Sequence, residues 1–352
     1  MRLCVVFKTI LALGLLSCTA EEPEPPAETD WPVFEQTLRD RVLAWTSAGR
    51  LSREDGHTYT VDIAQLMTYA ALREDRELYD RLRPIVLEAR VDHQSEAYVK
   101  GFITWRTGKG ADASGTTEAL RVAEALWRGA EAFNLEADRA IALEIVDGYR
   151  RHGFVDQGIW FIRNYYNLST RSFAMNSFLV DYDPDLTAEF AGESPELAEL
   201  SARVNDLIES SVTPSGLLHE LIQPELLTAM PTLRTATFSP NNCAQLSNSC
   251  TVLERSVKTH PGRARALLDF AASQERLALI YDVQSGEPKS AALAGVETLG
   301  CLARLAHRLG ADARRFETDL NWYTQDFLLQ EPQPRAYTAS ELLLTAYYRS
   351  PS

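Results

Sequence analysis

Asp62, Asp112, Glu118 and Glu254 are among the chain's 49 acidic residues, a type that can do acid–base chemistry. A carboxyl acts as a general acid near neutral pH only if its surroundings keep the proton on it. Tyr59, Ile63 and Trp105 are apolar enough to wall in Asp62 in that way. Asp62 also falls near a predicted helix start, where a carboxylate complements the macrodipole. Asp112 and Ser114 are equally readable as helix caps, Glu118 as a first-turn dipole complement, and Glu254-Arg255 as a surface ion pair. Asp112 and Glu118 bracket the small-sided stretch "ADASGTTE" (111–118), which lets a ligand approach the backbone. The six histidines are scattered and no Cys/His spacing suits zinc, so neither a metal nor a cofactor is expected. Net charge is −14 and no basic stripe exists, which argues against a nucleic-acid partner.

The elements that must position these groups are helices. Apolar residues recur at spacings of three and four over 33–48, 59–72, 75–90, 115–134, 136–151, 169–180, 194–211, 245–257, 260–281, 288–309, 311–329 and 336–348. Pro and Gly punctuate the gaps between them. No convincing alternating strand appears, and "GIWFIRNYYNL" (158–168) is the best candidate for a hairpin or extended edge. Twelve helices in successive short-linked hairpins predict an all-α fold, an (α/α)6 toroid with one or two short strands and a cleft at one end. An open solenoid is the competitor, but no fixed-period repeat is present.

Residues 1–17 read as a signal peptide ending in Leu15-Leu16-Ser17-Cys18. This resembles a bacterial lipobox, which implies lipidation of Cys18. Thr19 after it favours an outer over an inner membrane. Residues 18–31, including "EEPEPPAETD", form an acidic Pro-rich tether, and 32–352 form a single domain. Export permits a disulfide, for which Cys243 and Cys250 are the candidates, with Cys301 as a buried thiol.

Several segments in order resemble family eight of the glycoside hydrolases. They are "YTVDIAQLMTYAALREDRELYDRL" (59–82), "ITWRTGKGADASGTTEALRVAEAL" (103–126), "SFAMNSFLVDYDPDLTAEF" (172–190), "SGLLHE" (215–220) and the closing "RAYTASELLLTAYY". The resemblance implies an (α/α)6 fold and a metal-free inverting hydrolase acting on a polysaccharide. Such an enzyme pairs a protonated carboxyl with a water-activating carboxylate about 6.5–9.5 Å away. In that register the family's acid falls on Val61, leaving Asp62 beside it. Its Asp pair falls on Gly115 and Thr117, leaving Asp112 and Glu118. The context of its base falls on "TVLERS" (251–256), leaving Glu254. Tyr59, Trp105, Arg106, Trp160, Tyr165 and Glu220 are the expected sugar contacts, although each aromatic is also a candidate for packing. A binding protein that kept the groove without the chemistry is the alternative. A lyase or epimerase on the same toroid would draw on His57, Tyr59 and His219.

Overall fold

The computed structural model describes residues 28–350, apart from 50, 54, 93–95, 109, 157, 212, 220, 223–242 and 330–334. The signal, Cys18 and Glu220 therefore lie outside the described residues. Twelve α-helices are present among those described: α1 (Trp31–Ser47), α2 (Thr60–Leu72), α3 (Arg76–Glu88), α4 (Thr116–Phe133), α5 (Glu136–Arg150) and α6 (Pro184–Phe190), then α7 (Pro195–Ser211), α8 (Leu246–Glu254), α9 (Pro261–Ser273), α10 (Val296–Arg308), α11 (Arg314–Leu329) and α12 (Ala336–Arg349).

Two kinds of helix alternate along the chain, and burial separates them. In α2 the run Asp62 to Ala71 is buried without a break, and in α10 Thr298 to Ala306 likewise. Helices buried all round belong inside. The intervening helices bury one stripe: Leu78, Tyr79, Leu82 and Val86 in α3, or Phe34, Leu38, Val42 and Trp45 in α1. The inner helices form a closed ring, α2 on α4, α8 on α10, α10 on α12, and α12 back on α2. The gap between α4 and α8 is filled by a 3-10 turn at Leu179–Asp181 and the short α6. The ring closes, so the architecture is the toroid and not the solenoid.

Three expected helices differ. Residues 169–180 form no α-helix: β5 (Ser172–Phe173) pairs with β4 (Tyr165–Asn167), β6 (Ser177–Phe178) pairs with β7 (Leu221–Ile222), and the 3-10 turn follows. The Asn167 side chain accepts from the Ser169 and Thr170 amides, and Arg171 takes a positive φ, so the chain turns here. α9 stops at Ser273, and the chain runs on to β9 (Ile280–Asp282), which pairs with β8 (Cys243–Gln245). α10 begins only at Val296. The segment 158–168 is extended as expected but does not fold on itself: its β3 (Ile159–Ile162) makes a hairpin with the preceding β2 (Gly153–Asp156), and its β4 pairs with β1 (Ala113–Gly115). Among the described residues nine short strands exceed the one or two expected.

The expected Cys243–Cys250 bridge is not formed. Cys250 on α8 is joined to Cys301 on α10, with Cα atoms 6.1 Å apart, while Cys243 sits in β8. Adjacent inner helices bring together residues 51 apart, a proximity that a short sequence spacing does not reveal. Cys301 is accordingly not a thiol. Reduction, or a Cys250→Ala/Cys301→Ala double variant, should lower unfolding free energy by about 2–4 kcal/mol. Denaturant melts with and without reductant check this.

Charged residues also stitch the ring from within. Arg304 on α10 holds Glu254 on α8 through two contacts of 2.7 and 2.9 Å, and Glu341 on α12 at 2.9 Å. Gln65 on α2 donates to Glu341, and its own carbonyl accepts from Ser340. Arg308 reaches Asp185 at 3.2 Å, and Arg121 on α4 meets Asp183 at 3.0 Å. Glu254 is therefore a buried structural carboxylate and not half of a surface pair, and Arg255 turns towards Asp183 instead.

Candidate active site at the N-terminal ends of the inner helices

An open cleft of about 390 Å³ lies over the start of α4. Trp105, Asp112, Glu118, Asn164, Tyr165 and Asn167 line it, with Ser114 and Gly115 as part of its floor. The pairing of β1 with β4 builds it, because register sets Gly115 opposite Tyr165 and Ser114 opposite Tyr166. Alternation then separates the neighbouring tyrosines. Tyr165 reaches the cleft, whereas Tyr166 is buried with Val99 and Phe102.

Glu118 is the third residue of α4, and its side chain folds back over the helix start. A Cβ built on Gly115 would lie 1.8 Å from its Oε2. Glycine at 115 thus leaves the space that the Glu118 carboxyl occupies. Burial is the main influence on this carboxyl and pushes it up to about 7, with the Asp181 charge adding to the effect. Glu118 is a carboxyl that can hold a proton near neutral pH at the edge of a cleft. Asp112 is the exposed carboxylate of the same cleft.

Asp62 is placed differently from the expectation. It is fully buried and held by Arg53 in a bidentate pair of 2.6 and 2.8 Å. Burial raises its pKa, opposed by Arg53. With both oxygens committed and no surface, it is not placed to protonate a ligand. Arg53 stacks over Tyr59 at 4.0 Å, and Tyr59 in turn meets Trp105 edge-on at 5.5 Å. Tyr59 and Asp62 therefore serve as the wall behind Trp105. Arg106 covers Trp105, its guanidinium 4.4 Å from the ring, and donates to the Gly110 carbonyl. Trp160 does not line the cleft, since it packs against the buried Tyr182 with Arg203 nearby. Glu254 is committed to Arg304.

Asp181 has no place among the sequence candidates. It is 2% exposed and lies directly behind Thr117, whose hydroxyl donates to its Oδ1. Burial pushes it up to about 7, as it does Asp183. These carboxyls carry a consequence for stability. The unfolded chain releases their protons near pH 4, whereas the folded protein keeps them to about pH 7. In that window the native state binds more protons, so stability falls as pH rises, by about 1.4 kcal/mol per group per unit at most. Melting temperature should accordingly be higher at pH 5.5 than at pH 8, which calorimetry at the two pH values checks.

The histidine-based alternative lacks support in the geometry. His219 is fully buried, and burial lowers it to about 4. The Tyr59 hydroxyl donates to Asp55 at 2.6 Å, and that bond raises its pKa, the wrong direction for a phenolate base. Among the described residues no cluster of three or more His, Cys, Asp or Glu could hold a metal ion.

No family model matches the sequence, and no curated protein is similar enough in sequence to count as a relative. Solved structures are similar in fold. An alpha-amylase from Clostridium perfringens aligns over 89% of this chain and 98% of its own at 14% identity, with a TM-score of 0.69. A cold-adapted family 8 xylanase in complex with substrate aligns over 92% of this chain and 91% of its own at 12% identity, TM-score 0.62. A sugar epimerase from a ruminal bacterium aligns over 92% and 100% at 10% identity, TM-score 0.65. The chain thus has the (α/α)6 fold of family-eight glycoside hydrolases. Identities this low speak to fold, and function has to be argued from the site.

Proposed function

We propose that the protein is a metal-free glycoside hydrolase that binds an exported or cell-surface polysaccharide in the α4 cleft. Glu118 is the proton donor and Asp112 the carboxylate that activates water. One observation carries the reading. The resemblance to family eight puts an Asp at 115, and here Gly115 leaves that space to the carboxyl of Glu118, three residues on. A functional carboxyl is thereby kept at the cleft by a different residue. Trp105 and Tyr165 offer ring faces or edges for a pyranose, and Asn164 and Asn167 offer amides for hydroxyls. The second reading, a binding protein without chemistry, draws on one observation, the commitment of Asp62 to Arg53.

The protein is further proposed to be a lipoprotein anchored through Cys18, and the Cys250–Cys301 bridge fits an oxidising compartment. α1 starts at the ring end opposite the cleft, where its Glu35 binds Arg73 at the end of α2 and Arg73 reaches Ser350. An anchored chain would then hold its cleft away from the membrane. To test the hydrolase reading, residues 28–352 are mixed with β-1,4-glucan, xylan, chitosan and the host's own exopolysaccharide, and new reducing ends are counted. Cleavage lost in Asp112→Asn supports its role; cleavage that persists assigns the base elsewhere.

A further inference from the structure

We infer that Asp181 is a positioning residue for the cleft: from behind α4 it holds the opening turn through Thr117, and its carboxyl, once ionised, opposes loss of the Glu118 proton. This rests on the reading of Glu118 as the proton donor and adds a residue that touches no ligand. Three contacts place Asp181. The Thr117 hydroxyl donates to Oδ1, the Phe178 amide donates to Oδ2 at 3.3 Å, and the buried Tyr149 hydroxyl donates to its backbone carbonyl at 2.8 Å. The Leu179–Asp181 turn packs against both α4 and α8, so Asp181 is wedged into the ring at the gap that α6 leaves. Thr117 and Glu118 are consecutive in α4 and both line the cleft. A hydrogen bond at the first therefore fixes the turn that carries the second.

The groups facing this pair define its electrostatics. Arg121, on the next turn of α4, favours the anionic form of both carboxyls, and Asp62 of α2 opposes ionisation at Glu118. Tyr149, Tyr182 and Asp183 adjoin Asp181, and the two tyrosine phenols stay protonated under burial. Burial pushes both carboxyls up to about 7, and the Asp181 charge opposes ionisation of Glu118. Glu118 keeps its proton to a higher pH because Asp181 is there.

Asp181→Asn keeps an acceptor for Thr117 and removes the charge. In the chain of residues 28–352 carrying 13C at the Glu carboxyl, the Glu118 resonance is assigned by its loss in Glu118→Gln and followed from pH 4 to 9. Its midpoint should drop in Asp181→Asn by about one unit, and the alkaline limb of the pH–rate profile should move with it, with KM little changed. Thr117→Val removes the hydrogen bond that favours the Asp181 anion, leaves Asp181 neutral to higher pH, and should shift Glu118 in the same direction. It gives the answer if Asp181→Asn fails to fold. An unmoved midpoint in a folded variant overturns the inference, whatever the activity. A moved midpoint in a protein that cleaves nothing would uphold the coupling and sink the hydrolase reading.

Discussion

Replacing Arg304 by Met should destabilise the protein by about 3–5 kcal/mol, the range for removing one partner of a buried ion pair. The side chain is 5% exposed and is the cation between Glu254 and Glu341, both buried. Without it two carboxylates, from the inner helices on either side of α10, are left buried without compensation. The loss should shrink on acidification, since protonating either carboxyl relieves the repulsion. Glu254→Gln should be milder, about 1.5–3 kcal/mol, the range for a hydrogen bond to a charged group, because Glu341 still balances Arg304. Urea melts of the two variants at pH 5 and pH 8 check both magnitude and sign. Equal losses, or an Arg304 variant insensitive to pH, would mean the inner ring does not depend on this ion triplet.

Glu118→Gln is expected to reduce turnover about 10²–10⁴-fold, the usual worth of a positioned general acid. Ligand binding should survive, since Gln retains the shape and most of the polarity of the side chain. Folding should survive too, because above pH 7 the change removes a charge from a largely desolvated position. This separates Glu118 from Glu254, whose replacement should act through stability. The activity of the unaltered protein should fall as pH rises through about 7, where Glu118 gives up its proton. Turnover of both proteins from pH 5 to 9, beside a melt of each, decides it.

Much of the fold is legible in the sequence because inner and outer helices both carry the 3.6-residue pattern. The errors fall where that pattern arises by other means. Residues 172–178 place apolar side chains at helical spacing, yet they pair as strands beside the Asn167 turn. The cleft is legible in part, since the small-sided stretch before α4 can line a groove as well as cap a helix. Which carboxyl works there is a question of partners distant in sequence. Asp62 meets Arg53 across nine residues, and Glu254 meets Arg304 across fifty. Neither pairing leaves a local trace, so both carboxyls read as candidates for the chemistry, and Glu254 as the partner of its neighbour Arg255. Asp181 stands just past the segment read as helix, and nothing local marks it as facing Thr117. The disulfide misleads for the same reason, because ring neighbours and sequence neighbours differ.

The central claim is that the cleft over α4 is catalytic and that Glu118 supplies the proton. The direct test measures, on one polysaccharide panel, both binding and the release of reducing ends by the unaltered protein and by Glu118→Gln. The account predicts that the unaltered protein binds and cleaves at least one polymer, and that the variant binds it and leaves it intact. A protein that binds a polymer tightly and never cuts it, or a variant that cuts as fast as the original, would contradict the account.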